Sequence, residues 1–175
     1  SRPLYTIDYY KRKAHEMAKA GAHILAIKDM AGLLKPRAAH TLITARRAEV
    51  DCPIHVHTHD SAGNGVAMLL SAVDAGADII ATALASMAGL TSQPNLNSIA
   101  AALQGHERDT LLNMTGLQEL SDYWEAVRTH YAPFESGLKS SGADVYHHEI
   151  PGGQYSNLKP QALAVGLAAQ WTDIR

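Results

Sequence analysis

Apolar residues along the first hundred positions follow two alternating rhythms. Segments of strand length occupy positions 23–29, 53–60 and 78–84, the first and third largely apolar and the second alternating with histidine. Between them lie segments of helical period, as where Val66, Leu69, Leu70 and Val73 recur every three or four residues. A helix is predicted over 6–21, with Thr6 capping its first turn and Gly21 stopping it. Pro36 suits the first turn of a second helix reaching Ala48, and Gly63 and Gly65 open a third that ends before Gly76. A fourth spans 95–103. Strands alternating with helices predict a parallel sheet with right-handed crossovers, its apolar strands buried on both faces. Beyond Gly105 the rhythm changes. A longer helix is expected over 116–131, with Leu117, Leu120, Trp124 and Val127 on one face. A Gly- and Ser-rich stretch over 136–155 has no strong period, and a closing helix is expected over 158–171.

Composition narrows the class. Of 175 residues, 46% are hydrophobic, and 15 Lys and Arg face 17 Asp and Glu for a formal charge of −2. So small a charge gives no field for a phosphate backbone, and nucleic acid is not an expected partner. No apolar run approaches the roughly 20 residues of a membrane span. The single cysteine, Cys52, cannot cross-link the chain to itself, which favours a reducing, intracellular setting. Ten histidines are the one excess that bears on chemistry.

Three βα units fit an open doubly wound sheet or part of an eight-unit barrel. Gly63-Asn-Gly65 lacks the third glycine of a dinucleotide fingerprint, which argues against the first. In barrels, chemistry sits at the carboxyl ends of strands. Here those ends carry Lys28-Asp29, His57-Thr-His59-Asp60 and the region from Ser86 to Pro94, all polar where packing alone would ask for apolar residues. In His55-Val-His57-Thr-His59, side chains two apart point the same way, so two imidazoles can converge on one metal ion. His55 would lie deeper in the sheet, leaving His57 and His59 as the ligand pair. The alternative is that all three only hydrogen-bond inside the fold. Asp60 would orient a ligand histidine or cap the following turn. Lys28 ends an apolar strand, where its ammonium would be partly desolvated. A salt bridge to Asp29 is the simplest partner, though strand neighbours face opposite sides. Deprotonated, its amine can take up carbon dioxide as a carbamate, an anionic oxygen ligand for a metal.

Four motifs in order, Lys28-Asp-Met-Ala-Gly-Leu-Leu-Lys-Pro36, His55-Val-His-Thr-His-Asp60, Thr91-Ser-Gln-Pro94 and Pro151-Gly-Gly-Gln-Tyr-Ser-Asn-Leu158, resemble the carboxyltransferase domain of biotin-dependent pyruvate carboxylases. The resemblance implies an α/β fold, a partial TIM (β/α)8 barrel holding about the last three βα units, followed by a mainly helical C-terminal segment. It divides the chain into barrel over 1–105 and a helical extension over 106–175 that carries the Pro151–Leu158 loop. It implies a divalent metal, zinc or manganese, held by a carboxylated Lys28 with His57 and His59. It implies biotin on a separate carrier domain, with carboxybiotin and pyruvate reacting to give oxaloacetate. In that reaction a hydroxyl shuttles the methyl proton of pyruvate to the ureido nitrogen of biotin. The family places a threonine there; this chain has Ser156, which keeps the hydroxyl without the methyl that fixes its rotamer. Capping the closing helix would be the structural role of Ser156. Gly152, Gly153 and Gln154 are the candidate cofactor contacts.

Two departures accompany the likeness. Ala81 and Ala85 stand where the family commonly has acidic residues. No residue here corresponds to the family's metal-ligating aspartate on the first barrel strand. The length also falls short of the roughly 250 residues of a closed barrel. An N-terminal half supplying that aspartate and the pyruvate-holding arginine and glutamine is therefore an expected partner. A homo-oligomeric parent enzyme is expected, in the cytoplasm, or in the mitochondrial matrix if eukaryotic. The competing readings are the carboxyltransferase subunit of oxaloacetate decarboxylase or transcarboxylase, and a non-catalytic barrel fragment serving assembly.

Overall fold

The computed structural model describes residues 4–135 and 137–174. The Gly- and Ser-rich stretch expected from position 136 therefore begins, for its first residue, outside the described residues. Helix α1 runs Ile7–Lys19, with the Thr6 hydroxyl accepting from the Tyr9 amide at 3.2 Å. Strand β1 is Leu25–Asp29, α2 is Pro36–Arg47, β2 is Ile54–Thr58 and α3 is Gly65–Asp74. Strand β3 is Ile79–Ile80, followed by a 3₁₀ turn at Ala85–Met87 and by α4, Leu96–Ala102. The three strands form a parallel sheet in the order β1-β2-β3. The βαβ alternation thus yields the predicted parallel sheet.

One face of the sheet is buried. Ile54 and Val56 of β2 pack against Ile43 of α2, Met68 and Leu69 of α3, and Ile99 of α4. The opposite face is open among the described residues: Ala26 and Lys28 of β1 are exposed, and Ile79 is 39% exposed. The expectation of burial on both faces, and of a partly desolvated Lys28, is therefore not met, because no described element covers that face.

The third strand is shorter than its apolar run. The Ala81 amide still bonds the Val56 carbonyl at 2.9 Å, but the chain then turns to a parallel bridge between Ala83 and Asn95. Ala83 bonds Pro94 and Leu96 at 3.0 and 2.8 Å, so the loop before α4 satisfies backbone groups that a longer strand would have placed in the sheet. Alanine contributes little cross-strand packing to hold such a strand in register.

Helix α5 spans Met114–Thr129, its first turn capped by the Asn113 side chain accepting from Gly116 at 3.2 Å. It buries Leu117 and Ser121, but Leu120 and Trp124, expected on the packed face, are 51% and 39% exposed. Arg128 of α5 donates to the Ser86 carbonyl and pairs with Glu135, pinning the helix to the 3₁₀ turn. After a second 3₁₀ turn at Ala132–Phe134 come α6, Val145–His148, and α7, Gly152–Ala164. The chain closes with a 3₁₀ turn at Ala168–Gln170 and α8, Trp171–Ile174. Helix α7 starts six residues before the expected closing helix. Two glycines are poor helix formers, yet the Gly152 amide is held by the Met30 carbonyl at 3.3 Å, a tertiary contact that seats the first turn. No helix is long and apolar enough to cross a membrane, among the described residues.

Candidate active site

The parallel register sets the geometry of the candidate ligands. Lys28 lies opposite His57, and Asp29 lies opposite Thr58. Because side chains alternate along strands, Lys28, His55 and His57 share the open face, while Thr58 points into the buried layer at 1% exposure. His59 follows the strand, and its ring meets that of His57 edge-on, with centroids 5.4 Å apart. The structure thus brings Lys28, His57 and His59 together at one strand end and leaves His55 a step deeper, opposite Ala26 and Ile79.

The two imidazoles are held in different ways. Burial foremost, then the neighbouring His59, Lys28 and His55, holds the His57 ring below its usual pKa range. His59 Nδ1 lies 2.6 Å from the Thr91 carbonyl oxygen. A carbonyl only accepts, so Nδ1 carries a proton and Nε2 is the nitrogen left for a metal, the arrangement that backbone carbonyls impose on metal-binding histidines. Among the described residues no three His, Cys, Asp or Glu side chains gather as a metal site. Two imidazoles at one strand end fit a divalent ion, and Lys28 would add an oxygen ligand if its amine were carboxylated.

The expected partners of the acidic neighbours are different ones. Asp29 makes no salt bridge to Lys28; its carboxylate accepts from the Leu33 and Leu34 amides and the Thr58 hydroxyl, each at 2.9 Å. Asp60 caps rather than orients a histidine: its Oδ1 accepts from the Gly65 amide at 2.8 Å, at the start of α3. Burial pushes the Asp60 carboxyl above its ordinary range, and the Gly65 N–H opposes that rise.

All four motifs meet here. The Asp60 amide donates to the Ser92 carbonyl at 2.8 Å. Gly89 and Leu90 both have positive φ, 82° and 53°, and this turn delivers the Thr91 carbonyl to His59. A non-glycine residue in that conformation is strained, a cost of about 1–2 kcal/mol held by the surrounding bonds. A Cβ on Gly152 would stand 3.1 Å from the Thr91 carbonyl and 3.2 Å from the Ser61 hydroxyl. Glycine there lets α7 approach both strand-end loops. Gly32, at φ +70°, presses its Cα against the His59 carbonyl so closely that any Cβ would overlap it. Gly32→Ala is therefore expected to lower stability by at least the ~1–2 kcal/mol of a left-handed alanine. It should also move His59, so thermal unfolding and metal content measured on one preparation should fall together.

The remaining candidates lie on α7. Gly153 and Gln154 are exposed. Ser156 is half-buried in the second turn, its hydroxyl donating to the Gly153 carbonyl at 3.1 Å. The expectation that it caps the closing helix is not met, because α7 begins at Gly152 with Pro151 in the cap position. Pro160, four residues on, has no N–H for the Ser156 carbonyl. Beside α7 opens a cavity of about 380 Å³, lined among others by Ser61, Thr91, His148, Tyr155 and Lys159. The His148 and Tyr155 rings stack within it at 5.3 Å. Neither this cavity nor the Asp29 bonds are visible in the linear sequence. The adjacency of Asp29 to Lys28 and of Thr58 to His57 is the only signal that could have pointed to their pairing.

Residues 6–123 match the HMGL-like family, and residues 145–175 match a conserved carboxylase domain. Over its whole length the chain is 51% identical to the pyruvate carboxylase of Bacillus subtilis, of which it spans 15%. Over 98% of its length it is 52% identical to that of Staphylococcus aureus, again spanning 15%. Among solved structures, it matches the carboxyl transferase domain of Rhizobium etli pyruvate carboxylase with pyruvate at a TM-score of 0.95 and 52% identity, covering 98% of this chain and 29% of that one. The same domain with pyruvate and biocytin matches equally well, at a TM-score of 0.95. The chain belongs to the HMGL-like family, and it is similar there to the carboxyltransferase portion of pyruvate carboxylases.

Proposed function

We propose that this chain supplies the metal-ligand and proton-transfer side of a carboxyltransferase site that moves a carboxyl group from carboxybiotin to pyruvate, giving oxaloacetate. The observation that carries this reading is the meeting of four separated motifs at one strand end, with His57 and His59 side by side and Lys28 in register. In this reading residues 1–105 form the barrel part and 106–175 the extension that brings Ser156 to it. The partners are a carrier domain bearing biotin and the barrel strands that complete the site.

His57 and His59, with Lys28 as its carbamate, would hold a divalent ion, zinc or manganese. When bound, that ion polarises pyruvate and stabilises the negative charge that develops as its methyl carbon is deprotonated. The Ser156 hydroxyl accepts the methyl proton and passes its own to the ureido nitrogen from which the carboxyl group departs. The N–C bond to the carboxyl carbon breaks, and a C–C bond to the methyl carbon of pyruvate forms. Gly152 keeps α7 close to the Thr91 and Ser61 loops, so the helix that carries Ser156 is fixed relative to the two histidines. Gly153 and Gln154, exposed on the first turn of that helix, are the residues assigned to contact the arriving cofactor. The cavity beside Tyr155 and Lys159 has the size of a small-ligand pocket and suits a compact bicyclic ring.

The test is a biotin-dependent assay of oxaloacetate formation with the full-length enzyme that carries this segment. Turnover dependent on both a divalent ion and the biotinylated carrier supports the reading. Full activity after removal of all divalent ions overturns it, and absence of turnover from a folded, metal-loaded, biotinylated enzyme favours the assembly role.

A further inference from the structure

The two ligand-bearing strands are joined at their ends by a bond on the face opposite the ligands. Asp29 and Thr58 each directly follow a candidate ligand, Lys28 and His57, and stand opposite one another in the register. The Thr58 hydroxyl donates to the Asp29 carboxylate at 2.9 Å, with the His59 carbonyl a longer alternative acceptor at 3.2 Å. Thr58 is 1% exposed, so its hydroxyl cannot exchange this partner for water without opening the strand end. The same carboxylate accepts from the Leu33 and Leu34 amides, closing the loop that leaves β1. That closure has two consequences. It lays Gly32 against the His59 carbonyl, and it turns the Met30 carbonyl toward the Gly152 amide of α7. One carboxylate therefore bears on Lys28, on His57, on the backbone of His59, and on the helix carrying Ser156.

We propose that Asp29 is a positioning residue: its bonds to Thr58 and to the Leu33–Leu34 amides set the separation of Lys28 from the two histidines and dock α7 on them. The proposal rests on the reading of Lys28, His57 and His59 as metal ligands. It adds that their spacing is set from the buried face, by a group that never touches the ion. A backbone hydrogen-bond ladder alone fixes which residues face each other. It leaves the last residues of a parallel pair free to splay, since strand ends fray. The Asp29–Thr58 bond removes that freedom at the residue pair next to the site.

The experiment uses the full-length enzyme with Asp29→Asn, Thr58→Val and Thr58→Ser. Asparagine keeps the shape and one acceptor but cannot accept from three donors as a carboxylate does. Valine keeps the volume of threonine without the hydroxyl. Supporting partners of metal ligands typically contribute 10- to 100-fold in affinity or activity, so Asp29→Asn and Thr58→Val are each expected to weaken divalent-metal binding by about 10- to 100-fold. The metal dissociation constant is read by competition with a chelator, independently of turnover. With saturating metal, kcat is expected to fall while KM for pyruvate changes little, and Thr58→Ser should restore both metal affinity and kcat. Lower thermal stability with unchanged metal affinity and kcat would mean a structural brace only and would overturn the proposal. If Asp29→Asn does not fold, the Thr58 pair decides by the same readings. Metal content that survives His57→Ala and His59→Ala in an enzyme unchanged at Asp29 and Thr58 would instead overturn the ligand reading beneath it, an outcome distinguishable from failure of the Asp29 proposal.

Discussion

Replacing His57 and His59 together with alanine in the full-length enzyme is expected to leave it folded, without its divalent ion, and without carboxyl transfer. The two rings stand at the strand end on the open face, outside the cluster of Ile43, Ile54, Val56, Met68 and Leu69. Removing them takes little from the apolar core. Their loss removes both nitrogen donors, and Lys28 with the aspartate expected from the rest of the barrel is too small a ligand set to hold the ion. Lewis-acid stabilisation of developing charge contributes several kcal/mol, so kcat is expected to fall by about 10³-fold or more. Elemental analysis against protein concentration checks the metal, and circular dichroism checks the fold. His59→Ala alone should weaken binding less than the pair. Metal content unchanged in the double variant would sink the assignment.

Ser156→Ala is expected to abolish most turnover while leaving metal content and stability near those of the parent. The hydroxyl makes one bond, to the Gly153 carbonyl at 3.1 Å, on a half-buried face of α7. Losing it costs the fold little, because that carbonyl still has an intrahelical donor. The proposed reaction loses its proton shuttle, and proton transfer by a positioned side chain contributes about 10²- to 10⁴-fold. Ser156→Thr restores the hydroxyl and adds the methyl that narrows its rotamers, so that variant is expected to match or exceed the parent. A measurement of pyruvate-dependent decarboxylation of carboxybiotin separates this from binding, since Ser156→Ala should lower kcat with KM for pyruvate little changed. Equal kcat in the alanine variant would remove Ser156 from the reaction.

What the order of residues determines by itself is the alternation of elements and the place of the candidate chemistry on them. Period-2 and period-3.6 patterns depend only on neighbours a few positions apart, so β1, α2, β2, α3 and α4 could be placed from local spacing. The same logic put His57 and His59 on one side of a strand end. Where a segment's state depends on distant partners, local reading failed. Two glycines from the stretch without a period open α7, because Met30, just after β1, holds the Gly152 amide. A run with the composition of a strand stops after Ile80, because residues 94–96 satisfy its backbone. Asp29 reads as a salt-bridge partner for Lys28, yet it faces the other way and bonds Thr58, 29 residues further on.

Three facts that matter to the site were decided only by tertiary structure. Register set Lys28 against His57, because parallel pairing is fixed by the packing of α2 and α3 on one face rather than by either strand alone. The strained Gly89-Leu90 turn carried the Thr91 carbonyl to His59 and with it chose the tautomer. The glycines at 32 and 152 acquired their meaning from what lies against them, the backbone of another motif in each case. A sequence specifies which side chains share a face, since that is geometry along one chain. Which faces meet is settled by burial and by the pairing of backbone polar groups across the whole fold.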